Sequence, residues 1–408
     1  MPGLVNVDIK QLTYRGSGLL MEEIEQWFNH LRIAKRSTQK TKELTYLLDI
    51  DCLKAPTGQS SQLIAVSCSN HSIRVYNKQT LTLVQQFQGH SAPVSGIRFA
   101  QTTGHLLFSA SCDGTVKSWD VRSSSPEPVQ NYTGYPNNAF ISFDISCNDL
   151  VICAGTEKVE EDTFMVFWDA RSVTNMDSRG SQEPLGVYSE THNNDITQVC
   201  FHPSNPNMVA SGSTDGLVNI FDISQETEDD ALLATCNSDS SVSFVGWSGK
   251  DLEQIFCMTY DEGFYLWDLS HLHNDEPITL VKMQDARESL KLDNGHLDYL
   301  IGGFYHEKVE KLFVLGGTTM GKLHFLTCDA GSLTHLHTLH DRHSAIVRAF
   351  YWDSEENSLL TCGEDAQLFL WKPNATELTT EKKTSMKLPS DVLRKMRVHS
   401  KNAYQVKK

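Results

Sequence analysis

The sequence predicts an all-β chain that folds as a single seven-bladed β-propeller. The first observation is a block, Leu107–Asp120, that contains a Ser, an Asp-Gly turn and a terminal Trp-Asp, and that follows His90. The same block recurs at Val209–Asp222, at the same distance after His192 and with Phe in place of Trp. Blocks that recur at a fixed period indicate repeats that stack on their neighbours to bury a core, as propeller blades do.

The second observation is the spacing of the residue that ends the third strand of each predicted repeat. These residues are Tyr76, Trp119, Trp168, Phe221, Trp267, Leu326 and Trp371. The gaps between them run from 43 to 59 residues, against about 40–45 for an uninterrupted blade. The longer gaps contain insertions at Glu157–Asp162, Asp177–Glu183, Glu226–Asp230 and Leu280–Leu297. Seven repeats predict seven blades.

Both chain ends lie outside the repeats. We expect Leu31–Arg36, a short strand-like stretch, to form the outer strand of blade seven and so to close the ring. Before it, Leu19–Leu31 has the apolar period of an amphipathic helix, which either packs on the propeller or docks a partner. Its apolar residues are Leu20, Ile24, Trp27, Phe28 and Leu31. The expected domains are an N-terminal extension at 1–40, the propeller at 41–375 and a basic tail at 376–408.

In the most complete repeats, four polar side chains are predicted to form one chain of hydrogen bonds. The turn Asp accepts from a His ring, whose other nitrogen meets a strand hydroxyl, and that hydroxyl accepts from the Trp indole. The predicted sets are His90, Ser109, Asp113 and Trp119; His192, Ser211 and Asp215; and His343, Thr361, Asp365 and Trp371. Because the sets recur at repeat spacing, a structural role is favoured over a catalytic triad.

The other repeats lack parts of this set. Repeat one has Asn70 in the turn, and repeat three has Tyr135 at the His position. Repeat five keeps Asp261 but has Ser where the His would lie. Repeat six has Met320 in the turn and Leu326 at its end, so no such network is possible there and we expect apolar packing to be the main interaction that holds that blade.

Composition narrows the class of protein. No stretch of the 408 residues approaches the ~18 apolar residues of a membrane-spanning helix. The N-terminus lacks the basic start and apolar core of a secretory signal. The ten cysteines include no Cys-X-X-Cys pair, and we expect buried, reduced thiols in an intracellular protein.

Charge is unevenly distributed along the chain. The formal net charge is −16, yet residues 381–408 contain nine Lys or Arg and only two acids. The rest of the chain is therefore strongly acidic, which argues against a broad nucleic-acid-binding face. The tail is expected to be solvated, disordered chain, with a nuclear or nucleolar address or weak RNA contact as the functional alternative. We expect a protein of the nucleus, the nucleolus or the cytoplasm.

The recurring pattern resembles the WD40 repeat family over residues 41–375. Segments such as CNDLVICAGTEKVEED, FHPSNPNMVASGSTDGLVNIFD and DYLIGGFYHEK also resemble one vertebrate member of that family, from Met21 onward. The resemblance implies a scaffold for protein partners and implies no catalytic activity.

Arg122 and Arg171 form a candidate partner-binding site. Leu107–Arg122 resembles the box of WD40 substrate receptors of cullin-4 ubiquitin ligases, in which the final Arg contacts the adaptor. Repeat three also ends in Trp-Asp-X-Arg, at Arg171, so two adjacent blades would offer bidentate donors to adaptor carboxylates. The alternative is that each Arg only forms a salt bridge on the blade rim.

The sequence predicts no catalytic residue, no cofactor and no metal site. Four histidines crowd nine residues, where a metal site is the alternative to ordinary strand and loop positions; they are His335, His337, His340 and His343. The leading interpretation is a non-enzymatic interaction scaffold, a monomeric propeller within a complex of proteins. The rival interpretation is a cullin-4 substrate receptor.

Overall fold

The computed structural model is a ring of seven four-stranded antiparallel sheets, which confirms the predicted seven-bladed propeller. It describes residues 26–37, 45–54, 62–134, 138–171, 183–272, 276–292, 295–329, 331–339 and 343–375. All of these belong to the first of two units into which the chain divides, Met1–Thr376. Leu20, Ile24, Tyr135, His340 and the basic tail lie outside the described residues.

In each of the first four blades the strands pair in sequence order. Blade 1 has β2 (Leu47–Cys52), β3 (Leu63–Cys68), β4 (Ile73–Asn77) and β5 (Leu83–Phe87). Blade 2 has β6 (Val94–Phe99), β7 (Leu106–Ser111), β8 (Thr115–Asp120) and β9 (Gln130–Thr133). Blade 3 has β10 (Phe140–Ile145), β11 (Val151–Thr156), β12 (Met165–Asp169) and β13 (Gly186–Tyr188). Blade 4 has β14 (Gln198–Phe201), β15 (Met208–Gly212), β16 (Leu217–Asp222) and β17 (Leu232–Asn237).

The last three blades follow the same order, except that the final blade takes its outer strand from the N-terminus. Blade 5 has β18 (Val242–Ser248), β19 (Gln254–Thr259), β20 (Phe264–Asp268) and β21 (Ile278–Met283). Blade 6 has β22 (Tyr299–His306), β23 (Lys311–Gly317), β24 (Leu323–Asp329) and β25 (Ser332–Leu339). Blade 7 has β26 (Val347–Asp353), β27 (Ser358–Gly363), β28 (Leu368–Pro373) and β1 (Leu31–Arg36). Besides the helical residues 26–29, the described chain has the short helices α1 (Glu228–Ala231) and α2 (Ala286–Ser289) and a 3-10 helix at Glu307–Val309.

The position of each strand in its blade explains its composition. The second strands are apolar along nearly their whole length because the neighbouring blades cover both of their faces; β3 and β11 each bury five of six residues. The outer strands are more polar, and β5 exposes three of its five residues. The core therefore consists of apolar clusters between adjacent blades, such as the one that joins Phe108 of blade 2 to Phe143 and Trp168 of blade 3.

The ring is closed by β1, as predicted. Leu31 lies opposite Pro373 and Ile33 lies opposite Trp371, so the N-terminal strand completes the sheet of the last blade. Only residues 26–29 of the predicted Leu19–Leu31 helix are described as helical. The predicted helix end at Leu31 is wrong by two residues, because Leu31 already pairs with β28.

Two aromatic side chains anchor the segment before β1. The ring of Phe28 is fully buried, with its centroid 5.3 Å from that of Phe313 and 4.3 Å from that of Phe325. Trp27 meets Trp352 edge-on at 5.1 Å. Since these partners belong to blades 6 and 7, the segment packs on the propeller at the same seam that β1 closes.

A buried lysine joins the first blade to the last. The Lys78 side chain is 0% exposed, forms an ion pair with Asp353 and lies 3.5 Å from a carboxylate oxygen of Glu356. Burial by itself lowers the pKa of Lys78, but the hydrogen bond with Asp353 and the neighbouring acidic groups, Asp353 and Glu356 among them, together outweigh burial, so the net shift of the pKa is upward. Lys372 of β28 reaches Glu356 at 2.8 Å. The network therefore links blade 1 to the first and third strands of blade 7.

Candidate functional site

The structure brings together the four polar side chains predicted in blade 2. His90 Nδ1 lies 2.9 Å from Asp113 Oδ2, and His90 Nε2 lies 2.8 Å from Ser109 Oγ. The indole of Trp119 donates to the same Ser109 oxygen at 2.8 Å. The turn itself depends on Gly114, whose φ of +76° favours glycine.

Asp113 is the hub of this network. Besides His90, it accepts from the Ser91 amide at 3.0 Å and from the amide and hydroxyl of Thr115 at 3.1 and 2.6 Å. Burial by itself raises the pKa of the Asp113 carboxyl, but the hydrogen bonds from His90 and Thr115 outweigh it and hold the pKa well below its usual range. The Asp113 carboxyl is therefore ionised in the folded protein.

Blade 7 has the same arrangement with Thr in place of Ser. His343 lies 2.9 Å from an Asp365 oxygen and 2.9 Å from the hydroxyl of Thr361, to which Trp371 donates at 2.9 Å. The sequence predicted this set of four from spacing alone.

In blade 4, His192 contacts Asp215 at 3.0 Å and Ser211 at 2.7 Å, while Phe221 offers no indole donor. The amide of Asn219, which sequence reasoning missed, lies 3.3 Å from His192 Nε2 and donates to the Thr191 carbonyl at 2.9 Å. A buried Asn in the third strand was the available signal.

Blades 3, 5 and 6 differ from this arrangement. In blade 3, Trp168 donates to the Thr133 carbonyl at 3.1 Å instead of to a strand hydroxyl. In blade 5, Asp261 accepts from the Ser240 hydroxyl at 2.6 Å. In blade 6, Met320 is 74% exposed at the turn and Leu326 is fully buried.

Carboxylates on the inner strands bind neighbouring blades to one another. Asp51 of β2 accepts from the Phe99 amide of β6 at 2.6 Å, and Asp144 of β10 accepts from the Phe201 amide of β14 at 2.8 Å. Arg98 of β6 joins this set through Asp144, 3.4 Å away. Sequence reasoning missed these residues, although an Asp in an otherwise buried strand is a signal for such a partner.

The inner strands enclose a central channel that Arg98 divides. One cavity, of about 450 Å³, is lined on one side by aromatic and aliphatic side chains of blades 5 to 7; these are Phe244, Ile301, Phe304, Phe350 and Tyr351. A second cavity, of about 210 Å³, lies beyond Arg98 and reaches Lys54 and His202. Desolvation between the cavities raises the pKa of Asp51 to about 6.

The larger cavity opens toward the face that carries the Asp-containing turns, because its lining includes the starting residues of the inner strands. We call this face the turn face; it comprises residues 69–72, 112–114, 157–164, 189–197, 213–216, 238–241, 260–263, 318–322 and 364–367.

The turn face of blades 3 to 5 is acidic, with Lys158 as the one basic residue in its turns. The acids are Glu157, Glu160, Glu161, Asp162, Glu190, Asp195, Asp215, Asp239, Asp261 and Glu262. Among them stands Tyr260, which is 61% exposed.

Arg122 and Arg171 lie on the opposite face, where the third strands end. Arg122 binds Asp120 of its own repeat through two nitrogens, at 2.9 and 3.1 Å, and Arg171 Nε binds Asp169 at 2.8 Å. Their side chains are still 65% and 69% exposed. Exposed apolar side chains lie at the ends of the neighbouring strands; they are Val129, Leu150 and Leu185.

Two of the clustered histidines lie on β25. His335 is 2.9 Å from the Thr338 hydroxyl, which also lies 3.0 Å from His324. Within the described residues, no group of three or more His, Cys, Asp or Glu side chains is arranged to hold a metal ion. No helix in the described part of the chain is long and apolar enough to cross a membrane.

Comparison with known proteins accounts for the repeats. The model of the WD domain, G-beta repeat, matches residues 81–120, 182–222 and 333–372. These three segments are WD40 repeats. The three matched segments contain the Asp, Ser or Thr and third-strand residues of the three hydrogen-bond sets described above. The family model therefore recognises the blades whose turns are held by a His and an Asp.

The vertebrate family member that the sequence segments resemble is WD repeat-containing protein 89. A WD repeat-containing protein 89 homolog of Dictyostelium discoideum is 24% identical over 331 residues, which cover 80% of this chain and 84% of that protein. The WD repeat-containing protein GTS1 of Arabidopsis thaliana is 28% identical over 77% of this chain and 80% of its own length. The ribosome biogenesis protein YTM1 of Yarrowia lipolytica is 31% identical over 137 residues, 33% of this chain and 26% of that protein.

Proposed function

We propose that this WD40 propeller is a non-enzymatic scaffold that binds a basic segment of a protein partner at its turn face. The observation that carries the proposal is the coincidence of two features on that face. The wider mouth of the channel has half-buried aromatic side chains, including Phe244 and Phe304, and the turns beside it are acidic. An apolar depression with a charged rim is typical of protein interfaces.

Charge determines which partner fits. The acidic turns of blades 3 to 5 attract Lys-rich and Arg-rich segments and repel acidic ones, both during approach and in the complex. Glu157, Glu160 and Glu190 are exposed, so they are available to such a segment. Phosphate backbones of nucleic acid would be repelled by the same groups.

The similarity to the ribosome biogenesis protein YTM1 supports an inference about the kind of complex in which this chain meets its partner. We infer that the scaffold acts in complexes that assemble ribosomes, where the basic proteins that accompany RNA supply the segment. Residues 381–408, outside the described part of the chain, would then direct the protein to the nucleus and nucleolus.

The test compares two charge reversals on opposite faces. Glu157→Lys with Glu161→Lys changes the turn face, whereas Asp251→Lys with Glu253→Lys changes exposed acids on the opposite face by the same net charge. We expect partners crosslinked to the turn face of the parent through Lys-rich or Arg-rich segments to be lost from the first variant and kept by the second. Equal loss from both variants, or crosslinks confined to the opposite face, would refute the proposal.

The rival function, a cullin-4 substrate receptor, is supported by one feature of the opposite face. Arg122 and Arg171 are both exposed beside the apolar side chains of Val129 and Leu185, which is the composition of an interface. Each Arg is held by its own Asp, so an adaptor would have to compete for it. Changing both Arg residues to Ala should abolish co-purification of the ligase adaptor, and absence of the adaptor from the parent protein would eliminate this function.

A further inference from the structure

Tyr260 is the most exposed aromatic residue in the described part of the chain. Of the Phe, Tyr and Trp residues that the structure describes, only Tyr260 and Tyr46 are exposed, at 61% and 39%. Tyr260 lies on the turn face, between β19 and β20 of blade 5. Tyrosine is a frequent anchor of protein interfaces, because its ring offers a large contact area and has few rotatable bonds. The exposed ring is therefore available to a partner.

Hydrogen bonds between turns hold this ring in a fixed position. The Lys158 amide donates to the Asp195 carboxylate at 2.8 Å, and the Thr214 amide donates to the Asp195 carbonyl at 3.0 Å. The Ser241 hydroxyl donates to the Thr214 carbonyl at 2.8 Å, and the Tyr260 amide donates to the Ser241 carbonyl at 2.9 Å. These four bonds connect the turns of blades 3, 4 and 5. Because the surface is ordered before a partner arrives, little conformational entropy is lost on binding.

The ring of Tyr260 lies in negatively charged surroundings. Partial desolvation and the nearby charge of Asp195 both raise the pKa of the Tyr260 hydroxyl, so the carboxylate is close to it. Asp261, the next residue along the turn, is exposed. Two basic side chains of blade 5 are paired with acids of their own; the pairs are Lys282 with Asp239 at 2.6 Å and Arg287 with Asp285 at 2.7 Å. Charge complementarity therefore favours a cation at this ring.

We propose that Tyr260 binds an arginine side chain of the basic partner segment, with the guanidinium stacked on the ring and hydrogen-bonded to Asp195. This proposal rests on the proposed function and specifies which basic residue the turn face selects. A guanidinium is planar and weakly hydrated, so it stacks on an aromatic face and still donates two parallel hydrogen bonds to a carboxylate. A lysine ammonium is compact and strongly hydrated, so it gains less from the ring. Asp195 can accept these donors besides the Lys158 amide, since a carboxylate has about four lone-pair sites.

Two peptides of equal charge test the preference for arginine. The probes are dye-labelled peptides in which glycine alternates with four arginines or with four lysines, and fluorescence anisotropy measures their binding to the full chain. We expect the arginine peptide to bind more tightly. Tyr260→Ala should weaken its binding about two- to fivefold, because a cation stacked on an exposed ring gains about 0.5–1 kcal/mol. The lysine peptide should lose less, and Tyr260→Phe, which keeps the ring, should bind both peptides as the parent does.

Tyr46 provides the matched control, because it is an exposed tyrosine on the same face but away from the acidic turns. Its amide donates to the Ser69 hydroxyl of the blade 1 turn, and residues 69–72 of that turn include no acid. Tyr46→Ala should leave both affinities unchanged. If Tyr260→Ala lost no affinity, or lost no more than Tyr46→Ala, the inference would be overturned while the proposed function stood. If the parent bound neither peptide, both would fail together.

Ring-current shifts test the stacking independently. Protons that lie over the face of an aromatic ring are shielded, so the arginine δ-methylene protons of the peptide should move upfield in NMR spectra when the full chain is added. Tyr260→Leu, which keeps an apolar side chain without a ring, should abolish this shift. Asp195→Asn should keep the direction of the shift but weaken binding, because the carboxylate charge is removed. An upfield shift that persisted in Tyr260→Leu would contradict the proposed stacking.

Discussion

Asp113→Ala tests whether the hydrogen-bond network of blade 2 stabilises the propeller. The substitution removes the acceptor of four donors that come from His90, Ser91 and Thr115. It leaves the buried Ser109 and Trp119 in place, but His90 loses the group that fixes its orientation.

The magnitude follows from which donors water can reach. The His90 side chain is 1% exposed, so its stranded N–H costs about 1–3 kcal/mol. The donors of Ser91 and Thr115 lie nearer the surface, where water can replace the carboxylate, and we assign them about 1 kcal/mol together. The free energy of unfolding should therefore fall by about 2–4 kcal/mol, which for a ring of this size lowers Tm by roughly 3–6 °C.

The matched control is Asp261→Ala, at the equivalent turn of blade 5. Its carboxylate accepts from the hydroxyl of Ser240 and has no His partner, so the change should cost less than about 1 kcal/mol. Thermal unfolding followed by circular dichroism, with both variants in one buffer, measures the difference. If Asp113→Ala melted with the control, the network would not stabilise the fold and the reasoning would be wrong.

Three further predictions follow from the structure. The pKa values of Asp113, Asp215 and Asp365 are all lowered: burial raises each pKa, but the hydrogen bond and electrostatic attraction of the His partner, together with the backbone amides that donate to each carboxylate, outweigh burial. Each carboxylate thus stabilises the fold above the unfolded pKa of about 3.9. Tm should therefore fall as pH decreases from about 5 to 3, less steeply in Asp113→Asn than in the parent. Lys78→Met should lower the free energy of unfolding, measured by chemical denaturation, by about 3–5 kcal/mol, because it leaves the Asp353 carboxylate without its ion-pair partner. The double variant Lys78→Met with Asp353→Leu should recover most of that loss. No recovery would mean that the ion pair is not what joins blades 1 and 7. Blade 6 lacks the His and Asp of the network and depends on Leu312, Val314, Leu323 and Phe325, so its amides should exchange faster than those of blade 2, and slower exchange would contradict the assignment.

The fold was predictable because each blade repeats a local signal. In blades 2 and 4 the Asp-Gly turn recurs with its His 23 residues before the Asp. The residue that ends the third strand, aromatic in all blades but the sixth, extends this period to the other blades and so locates their strands. The closing strand Leu31–Arg36 was predictable for another reason, since a ring needs a partner for its last blade. The helix end was missed because the pairing of Leu31 with Pro373 is a contact between the two ends of the chain.

The channel was much less predictable. Arg98, Asp51 and Asp144 come from three different blades, and nothing in their sequence spacing shows that one guanidinium lies among the carboxylates. The buried pair of Lys78 and Asp353 is separated by 275 residues and was missed for the same reason. The acidity of the turn face also required the fold, because the acids occur in separate turns that only the ring brings to one side.

Amide exchange of the chain in complex with its purified basic partner tests the central claim most directly. If the turn face binds the partner, complex formation should slow exchange in the turns of blades 3 to 5, at residues 157–163, 189–196 and 260–263. Exchange around Arg122, Arg171 and the outer strand Ile278–Met283 should not change. Protection confined to either of those regions, with the turns unchanged, would contradict the account.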